Sequence, residues 1–256
     1  NNNMSKKKKC IVFLGVDMDL FKTCFFVGKE ADIWSSYELI VLDDESDTVS
    51  SDLSKLLLSK PCHVVSVVFQ HTELKNTSLR HMLRQYYDSG GLVVFFGIDG
   101  EFADPGVLSK HFALTEAWKF SAYTAHEYEI TSIADSSIGL NVTELEYAKA
   151  NLLSVPIQDR WLVPKVESLH RYIDEHAGCC LDGVAPSEEW KREARAAKAG
   201  YVEYCESLYH HCPLAVHTNN NGSNGRLAYL GFVNGDGPIP CIVRALVTKT
   251  KICDAN

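Results

Sequence analysis

Polar side chains able to do acid–base or ligand-binding chemistry follow four of the predicted strands of this 256-residue chain. Carboxylates and a histidine form the catalytic candidates: Asp99, Glu101, His71 and Glu73. Glycines, an amide and two further carboxylates form the ligand-binding candidates: Gly97, Gly100, Asn234, Asp236 and Asp17. Because parallel strands bring their carboxyl ends to one edge of a sheet, we expect these residues to line one pocket.

Two kinds of chemistry suit such a group of carboxylates. They can hold a hard cation through oxygen ligands, or they can raise one another's pKa and so supply a general acid and base. Each residue also has a structural alternative, since Asp17 can cap a helix and Asp99 suits a turn with Gly100. No spacing in the sequence demands a metal, and we predict neither a metal nor a cofactor.

Motifs that would specify a more definite reaction are missing from the sequence. There is no G-x-x-x-x-G-K-[ST] phosphate loop, no G-x-G-x-x-G turn after the first strand and no G-x-S-x-G nucleophile elbow. Four thiols and imidazoles cluster in the sequence at intervals that do not fit a zinc finger or ribbon: Cys205, His210, His211 and Cys212. No reaction class follows from a motif.

The elements that must position these residues alternate between strand and helix in the first half of the chain. Four strands that are apolar throughout are predicted at 10–15, 37–42, 64–69 and 92–96. A helix is expected from Ser51, and a second one ends at Gly90. This pattern predicts a three-layer α/β fold, in which a mostly parallel twisted sheet carries helices on both faces, as in flavodoxin-like proteins.

The second half of the chain is predicted to be less regular. Residues 119–130 read as an edge strand, and about 134–212 as a mainly helical insertion that adds little to the sheet. Within the insertion, an apolar heptad stripe over 187–209 indicates a helix that packs on its own domain or binds a protein partner. Two strands at 214–217 and 226–231, joined by an Asn/Gly-rich turn, and a last helix complete a single domain over 10–250, after a disordered basic tail at 1–9.

Composition excludes several classes of partner. The net charge of −8 argues against nucleic acid and anionic membranes, which both require clustered Lys and Arg. No apolar stretch reaches the roughly 18 residues of a membrane helix. Nine cysteines without framework spacing are best interpreted as thiols, so we expect a reducing, cytoplasmic location.

Four segments resemble the class I glutamine amidotransferase-like superfamily, and two of them resemble its trehalose-utilisation-like branch in particular. The fourth strand and its turn read Gly90-Gly91-Leu-Val-Val-Phe-Phe-Gly97-Ile-Asp99-Gly100, and the last strand reads Gly225-Arg226-Leu-Ala-Tyr-Leu-Gly231. Between them, Tyr147-Ala-Lys149-Ala-Asn-Leu and Asp159-Arg-Trp161-Leu-Val-Pro164 are similar to a segment of eukaryotic proteins of this fold, mainly from fungi and algae. The order of elements fits from residue 10 to residue 247.

The resemblance implies a cysteine nucleophile in a Gly-x-Cys-x-Gly elbow and a later His-x-Glu pair that activates it. Here Asp99 stands at the turn, and the stretch after the last strand reads Phe232-Val233-Asn234-Gly235. A carboxylate cannot replace a thiolate in forming a thioester, so glutaminase activity is not expected.

Besides a purely structural subunit that uses the helix at 187–209, two functions remain open after this comparison. The first is a non-catalytic or degenerate amidotransferase-like domain that binds a protein partner, through the helix at 187–209, or a small polar ligand at the strand ends. The alternative is a hydrolase or metal-assisted enzyme that uses the strand-end carboxylates on a small polar or sugar-like substrate.

Overall fold

The computed structural model contains ten strands and three α-helices in the residues that it describes. The strands are β1 Lys9–Leu14, β2 Tyr37–Leu42, β3 Cys62–Val68, β4 Leu92–Phe96, β5 Lys119–Ile130, β6 Leu145–Ser154, β7 Arg160–Pro164, β8 His211–Cys212, β9 Leu214–Thr218 and β10 Arg226–Leu230. The helices are α1 Val49–Ser59, α2 Thr77–Asp88 and α3 Pro105–His111, with 3-10 turns at Ile157–Asp159 and Leu208–His210. The described residues are 9–14, 37–42, 46, 48–59, 62–68, 77–96, 105–134, 145–165, 199, 203, 207–219, 222–232, 242–243 and 246–247.

All ten strands form one mixed sheet in the order β2-β1-β3-β4-β10-β9-β7-β5-β6-β8. The four pairings from β2 to β10 are parallel, and the five from β10 to β8 are antiparallel. The parallel arrangement predicted for the first four strands is therefore confirmed. The prediction of a mostly parallel, three-layer, flavodoxin-like fold is wrong, because antiparallel pairings predominate and the described residues contain few helices beside the sheet.

The error arises in the segment from residue 119 to residue 165. β5 is not an edge strand, since it lies between β7 and β6. β6 and β7 lie within the stretch expected to contribute little to the sheet, and that expectation is wrong for them. The sequence of β6, Leu-Glu-Tyr-Ala-Lys-Ala-Asn-Leu-Leu-Ser, is rich in helix-forming residues. Its long pairing with β5 overrides that local preference, as tertiary context commonly does.

Two hydrophobic cores cover the two faces of the sheet. The first core packs one side of β1, β4 and β10 against α1, α2 and α3. The second core lies on the opposite face, where helical residues near the C-terminus are buried: Ile242, Val243, Leu246 and Val247. These four residues agree with the predicted last helix.

The antiparallel half of the sheet curls until β6 meets the end of β10. Ala150 and Phe232 form an isolated antiparallel bridge, and the Asn151 amide donates to the Gly231 carbonyl at 2.7 Å. A Cβ on Gly231 would lie 2.0 Å from the Asn151 carbonyl oxygen, so only glycine allows this approach.

Other predictions meet the structure only in part. The basic tail at 1–9 lies outside the described residues except for Lys9, which begins β1. The helix predicted at 187–209 lies largely outside them too, so its role stays a prediction. α1 begins at Val49, two residues before the predicted start at Ser51. In the described part of the chain, no helix is long and apolar enough to cross a membrane.

Candidate functional site

The residues predicted to form a site at the carboxyl ends of the strands lie outside the described part of the chain. They are Asp17, His71, Glu73, Gly97, Asp99, Gly100, Glu101, Asn234 and Asp236. Their convergence into one pocket therefore stays a prediction.

A polar cavity of about 90 Å³ lies at the other end of the parallel strands, away from their carboxyl ends. The α2–α3–β9 cavity, as we call it, is lined by Arg84, Tyr87, Phe112, Ala113, Thr115, His217 and Asn219. Its location follows from chain direction. α2 ends just before β4 begins, and the end of β9 pairs with the start of β10 because these two strands are antiparallel. The cavity therefore lies where the parallel strands begin.

α2 brings Arg84 and Tyr87 to the cavity and ends there. The Gly90 amide donates to the Tyr87 carbonyl and the Gly91 amide to the Tyr86 carbonyl, at 3.1 and 2.9 Å, with Gly90 at φ 102°. This is a Schellman ending, which favours glycine at the left-handed position. Gly225, the residue before β10, packs directly against this helix end, since a Cβ on Gly225 would lie 1.8 Å from the Tyr87 carbonyl oxygen.

α3 ends in the same motif, but with alanine at the left-handed position. The Ala113 amide donates to the Lys110 carbonyl and the Leu114 amide to the Ser109 carbonyl, while Ala113 has φ 49°. This turn places Phe112 edge-on against Tyr87, with ring centroids 5.2 Å apart. The same turn positions Ala113 and Thr115 at the cavity wall.

A buried carboxylate fixes the orientation of the cavity histidine. Nδ1 of His217 lies 3.2 and 3.3 Å from the two carboxylate oxygens of Asp159, and Trp118 Nε1 donates to Asp159 Oδ2 at 3.0 Å. The Asp159 side chain is 4% exposed, and that of His217 is 17% exposed. Because a carboxylate only accepts hydrogen bonds, Nδ1 of His217 carries the proton and Nε2 is left as the second polar atom of the ring.

An ion pair fixes the position of Arg84 on the other side of the cavity. Arg84 Nε donates to Asp88 Oδ2 at 2.6 Å, and its Nη1 donates to the His111 carbonyl at 2.9 Å. Asn219 Nδ2 donates to the other oxygen of Asp88 at 3.3 Å, which joins β9 to α2. Burial raises the pKa of Tyr87 to about 12, so its hydroxyl is neutral at physiological pH.

This geometry can orient a ligand and move a proton, but it lacks the parts of an amidotransferase. None of the seven wall residues is a cysteine. Within the described residues, no group of three or more His, Cys, Asp and Glu side chains could hold a metal ion. The cysteines whose side chains are described, Cys10 and Cys212, are buried thiols, and burial raises the pKa of Cys212.

Two features of the sequence belong to this cavity, although neither of them predicted it. Asp159 is a buried carboxylate within a segment already noted for its resemblance, directly before an apolar strand. His217 is the histidine of an otherwise apolar predicted strand. Neither signal identified its partner, because 58 residues separate the two.

Two further histidines form pairs outside the cavity. Ser121 Oγ and His211 Nδ1 lie 2.5 Å apart, and Thr124 Oγ1 and His126 Nε2 lie 2.8 Å apart. Burial lowers the pKa of both imidazoles, and that of His126 falls to about 4. Both side chains are therefore neutral near pH 7.

Comparison with known proteins gives fold similarity only. No protein-family model and no curated protein matches the chain. Among solved structures, the mmIFT52 N-terminal domain is similar with a TM-score of 0.52 and 13% identity, over 93% of this chain and 94% of that one. A ThuA-like protein from Bacteroides uniformis is similar with a TM-score of 0.52 and 12% identity, over 98% of this chain and 92% of its own. The second neighbour agrees with the branch that the sequence motifs resemble.

Proposed function

We propose that this chain is a non-catalytic domain of the amidotransferase-like superfamily, in its ThuA-like branch, that binds a small polar ligand. The observation that carries the proposal is the α2–α3–β9 cavity, in which a buried carboxylate holds an imidazole in one orientation. Asp99 at the elbow position supports the absence of glutaminase chemistry.

The composition of the cavity wall supports binding. Five of its seven residues bring a polar group: Arg84, Tyr87, Thr115, His217 and Asn219. Interactions behind the wall restrict two of these side chains before any ligand arrives, because Asp159 holds His217 and Asp88 holds Arg84. Polar groups that are already oriented lose less conformational entropy on binding, which favours affinity.

The size of the cavity limits the ligand. A protein cavity of about 150 Å³ accommodates benzene, which has six heavy atoms. At about 90 Å³, this cavity suits a smaller molecule and not glutamine or a disaccharide. The proposed ligand is therefore unlike the substrates that the family resemblance would suggest.

The test is an NMR titration of the full chain with small polar molecules, following the ring signals of His217. We expect at least one of acetate, phosphate and glycerol to shift these signals, and Thr115→Val to weaken binding at constant stability. Ser51→Ala, on the surface of α1, is the matched control and should bind as the wild type does. If none of the three molecules shifts the His217 signals, the cavity has no binding role.

One observation favours an enzymatic alternative. A histidine backed by a buried carboxylate is a common general acid–base arrangement, and Asp159 and His217 have this geometry. Turnover that His217→Gln abolishes without loss of stability would establish this alternative in place of simple binding. The carboxylates at the strand ends, and a protein partner at 187–209, remain further proposals that rest on the sequence.

A further inference from the structure

The basic groups of the α2–α3–β9 cavity line its wall, while their carboxylate partners stand behind it. Arg84 and His217 belong to the wall, and none of its seven described residues is acidic. Asp88 lies behind Arg84 at 2.6 Å, and Asp159 lies behind His217 at 3.2 Å. A ligand therefore meets the basic side chains first, although each of them is paired with a carboxylate.

We propose that the α2–α3–β9 cavity binds a small oxyanion, a carboxylate or a phosphate, and that a proton is taken up on His217 when it binds. This inference deepens the proposed function and rests on it, since it names the chemical class of the small polar ligand. The two oxyanion classes share one chemistry, which is a charged oxygen that accepts hydrogen bonds from fixed donors.

The wall has donors left for such an oxygen after its internal contacts are made. Arg84 uses Nε for Asp88 and Nη1 for the His111 carbonyl, which leaves Nη2 without a partner among the described residues. Thr115 contributes a hydroxyl to the same wall. An arginine nitrogen beside a hydroxyl suits a carboxylate or phosphate oxygen better than it suits a second donor.

Proton uptake follows from the contact between Asp159 and His217. Nδ1 of His217 already donates to Asp159, so Nε2 of the neutral ring is an acceptor and would repel an oxyanion. Protonation turns Nε2 into a donor and places the imidazolium between two negative groups. The nearby charged and titratable groups are Arg84 and Asp88 on α2, His111 on α3, Asp159 before β7 and His217 on β9.

The size of the cavity agrees with this class of ligand. Acetate and phosphate each have fewer heavy atoms than benzene, which needs about 150 Å³, and this cavity has about 90 Å³. Glycerol is a neutral polyol with six heavy atoms, as many as benzene, but it is flexible, and its hydroxyl can donate to the neutral Nε2 without a proton being taken up. Acetate and glycerol therefore separate the two binding modes.

The experiment is a calorimetric and NMR titration of the full chain with sodium acetate, sodium phosphate and glycerol, with sodium chloride at matched ionic strength as the control. Acetate stays ionised above pH 6, so it reports the proton taken up by the protein. We expect acetate affinity to rise as the pH falls from 8 to 6, by up to about tenfold per pH unit for one proton. Calorimetry in two buffers of different ionisation enthalpy should show the same proton uptake.

Variants assign the effect to the named groups. His217→Gln should abolish the pH dependence of acetate binding, and Thr115→Val should weaken it about tenfold or less with the pH dependence intact, since one hydrogen bond is lost. Lys55→Gln, an exposed charge on α1, should change neither quantity. If His217→Gln proves unfolded, Thr115→Val and the two-buffer measurement still decide the question.

The outcomes separate this inference from the proposed function. If glycerol binds independently of pH and neither acetate nor phosphate binds, the proposal of an oxyanion ligand is wrong. The proposal that the domain binds a small polar ligand then still stands. Acetate binding without proton uptake overturns the role of His217. Absence of binding by all three molecules overturns both proposals.

Discussion

His126 is a fully buried imidazole on β5, and its protonation should destabilise the fold as the pH falls. Burial lowers its pKa from 6.5 to about 4, so the unfolded chain binds the proton more tightly than the folded one. Stability is therefore retained above pH 6.5 and lost progressively between 6.5 and 4. Between pH 7 and pH 5 the linkage relation gives a loss of roughly 2 kcal/mol from this residue.

His126→Gln isolates this contribution, because glutamine can keep a hydrogen bond to Thr124 and does not titrate. Between pH 7 and pH 5, urea denaturation should show the wild type losing roughly 2 kcal/mol more of its free energy of unfolding than the variant. In thermal denaturation, the same difference corresponds to about 4–8 °C in Tm for a domain of this size. His81→Gln, an exposed change on α2, should lose stability as the wild type does. An equal pH dependence for His126→Gln and the wild type would refute the reasoning.

Three further predictions concern the cavity and the elbow. Gly225→Ala should destabilise the fold by about 2 kcal/mol or more in urea denaturation, because its Cβ would lie 1.8 Å from the Tyr87 carbonyl oxygen. Gly222→Ala, at φ 86° with no atom within 4 Å, is the matched control and should cost only about 1 kcal/mol; equal losses would contradict the packing argument. Ala113→Gly should stabilise by about 0.5–1 kcal/mol, since an exposed residue at φ 49° is relieved of strain, and a lower Tm would contradict this. Purified protein should release no ammonia from glutamine, and release that Asp99→Ala abolishes would show that the elbow is active.

The sequence predicted the parallel half of the sheet well for a physical reason. β1 and β4 are buried on both faces, so each reads as an unbroken apolar run. Such runs occur in the middle of parallel sheets and in little else of that length. The Schellman ending at Gly90 was equally readable, because only glycine adopts its backbone angles without strain.

β6 and β7, in the antiparallel half, were not predicted from the same signals, whereas β5, β9 and β10 were. β6 alternates weakly, and its Ala, Leu, Lys and Glu residues favour a helix when no partner strand is considered. Its conformation is set by β5, which runs beside it from Lys119 to Tyr128. Pairing of this kind depends on tertiary context, which a single-sequence pattern does not contain.

The cavity was missed for a related reason. Its wall comes from three segments around Arg84, Ala113 and His217, and no spacing in the sequence joins them. Two helix endings and one hairpin bring them together. The general rule for parallel sheets points to the carboxyl ends of the strands, whereas this cavity lies where the parallel strands begin.

The contact between β6 and the end of β10 has a consequence for self-association. An open strand edge is a template on which identical chains can add strand by strand. In β6 the outer edge is occupied from Ala150 to Ser154, first by Gly231 and Phe232 and then by β8. Amyloid-like growth from this part of the edge would first require β8 and residues 231–232 to detach from β6. Their detachment, and not the collision of folded molecules, should therefore limit aggregation from this end of the sheet.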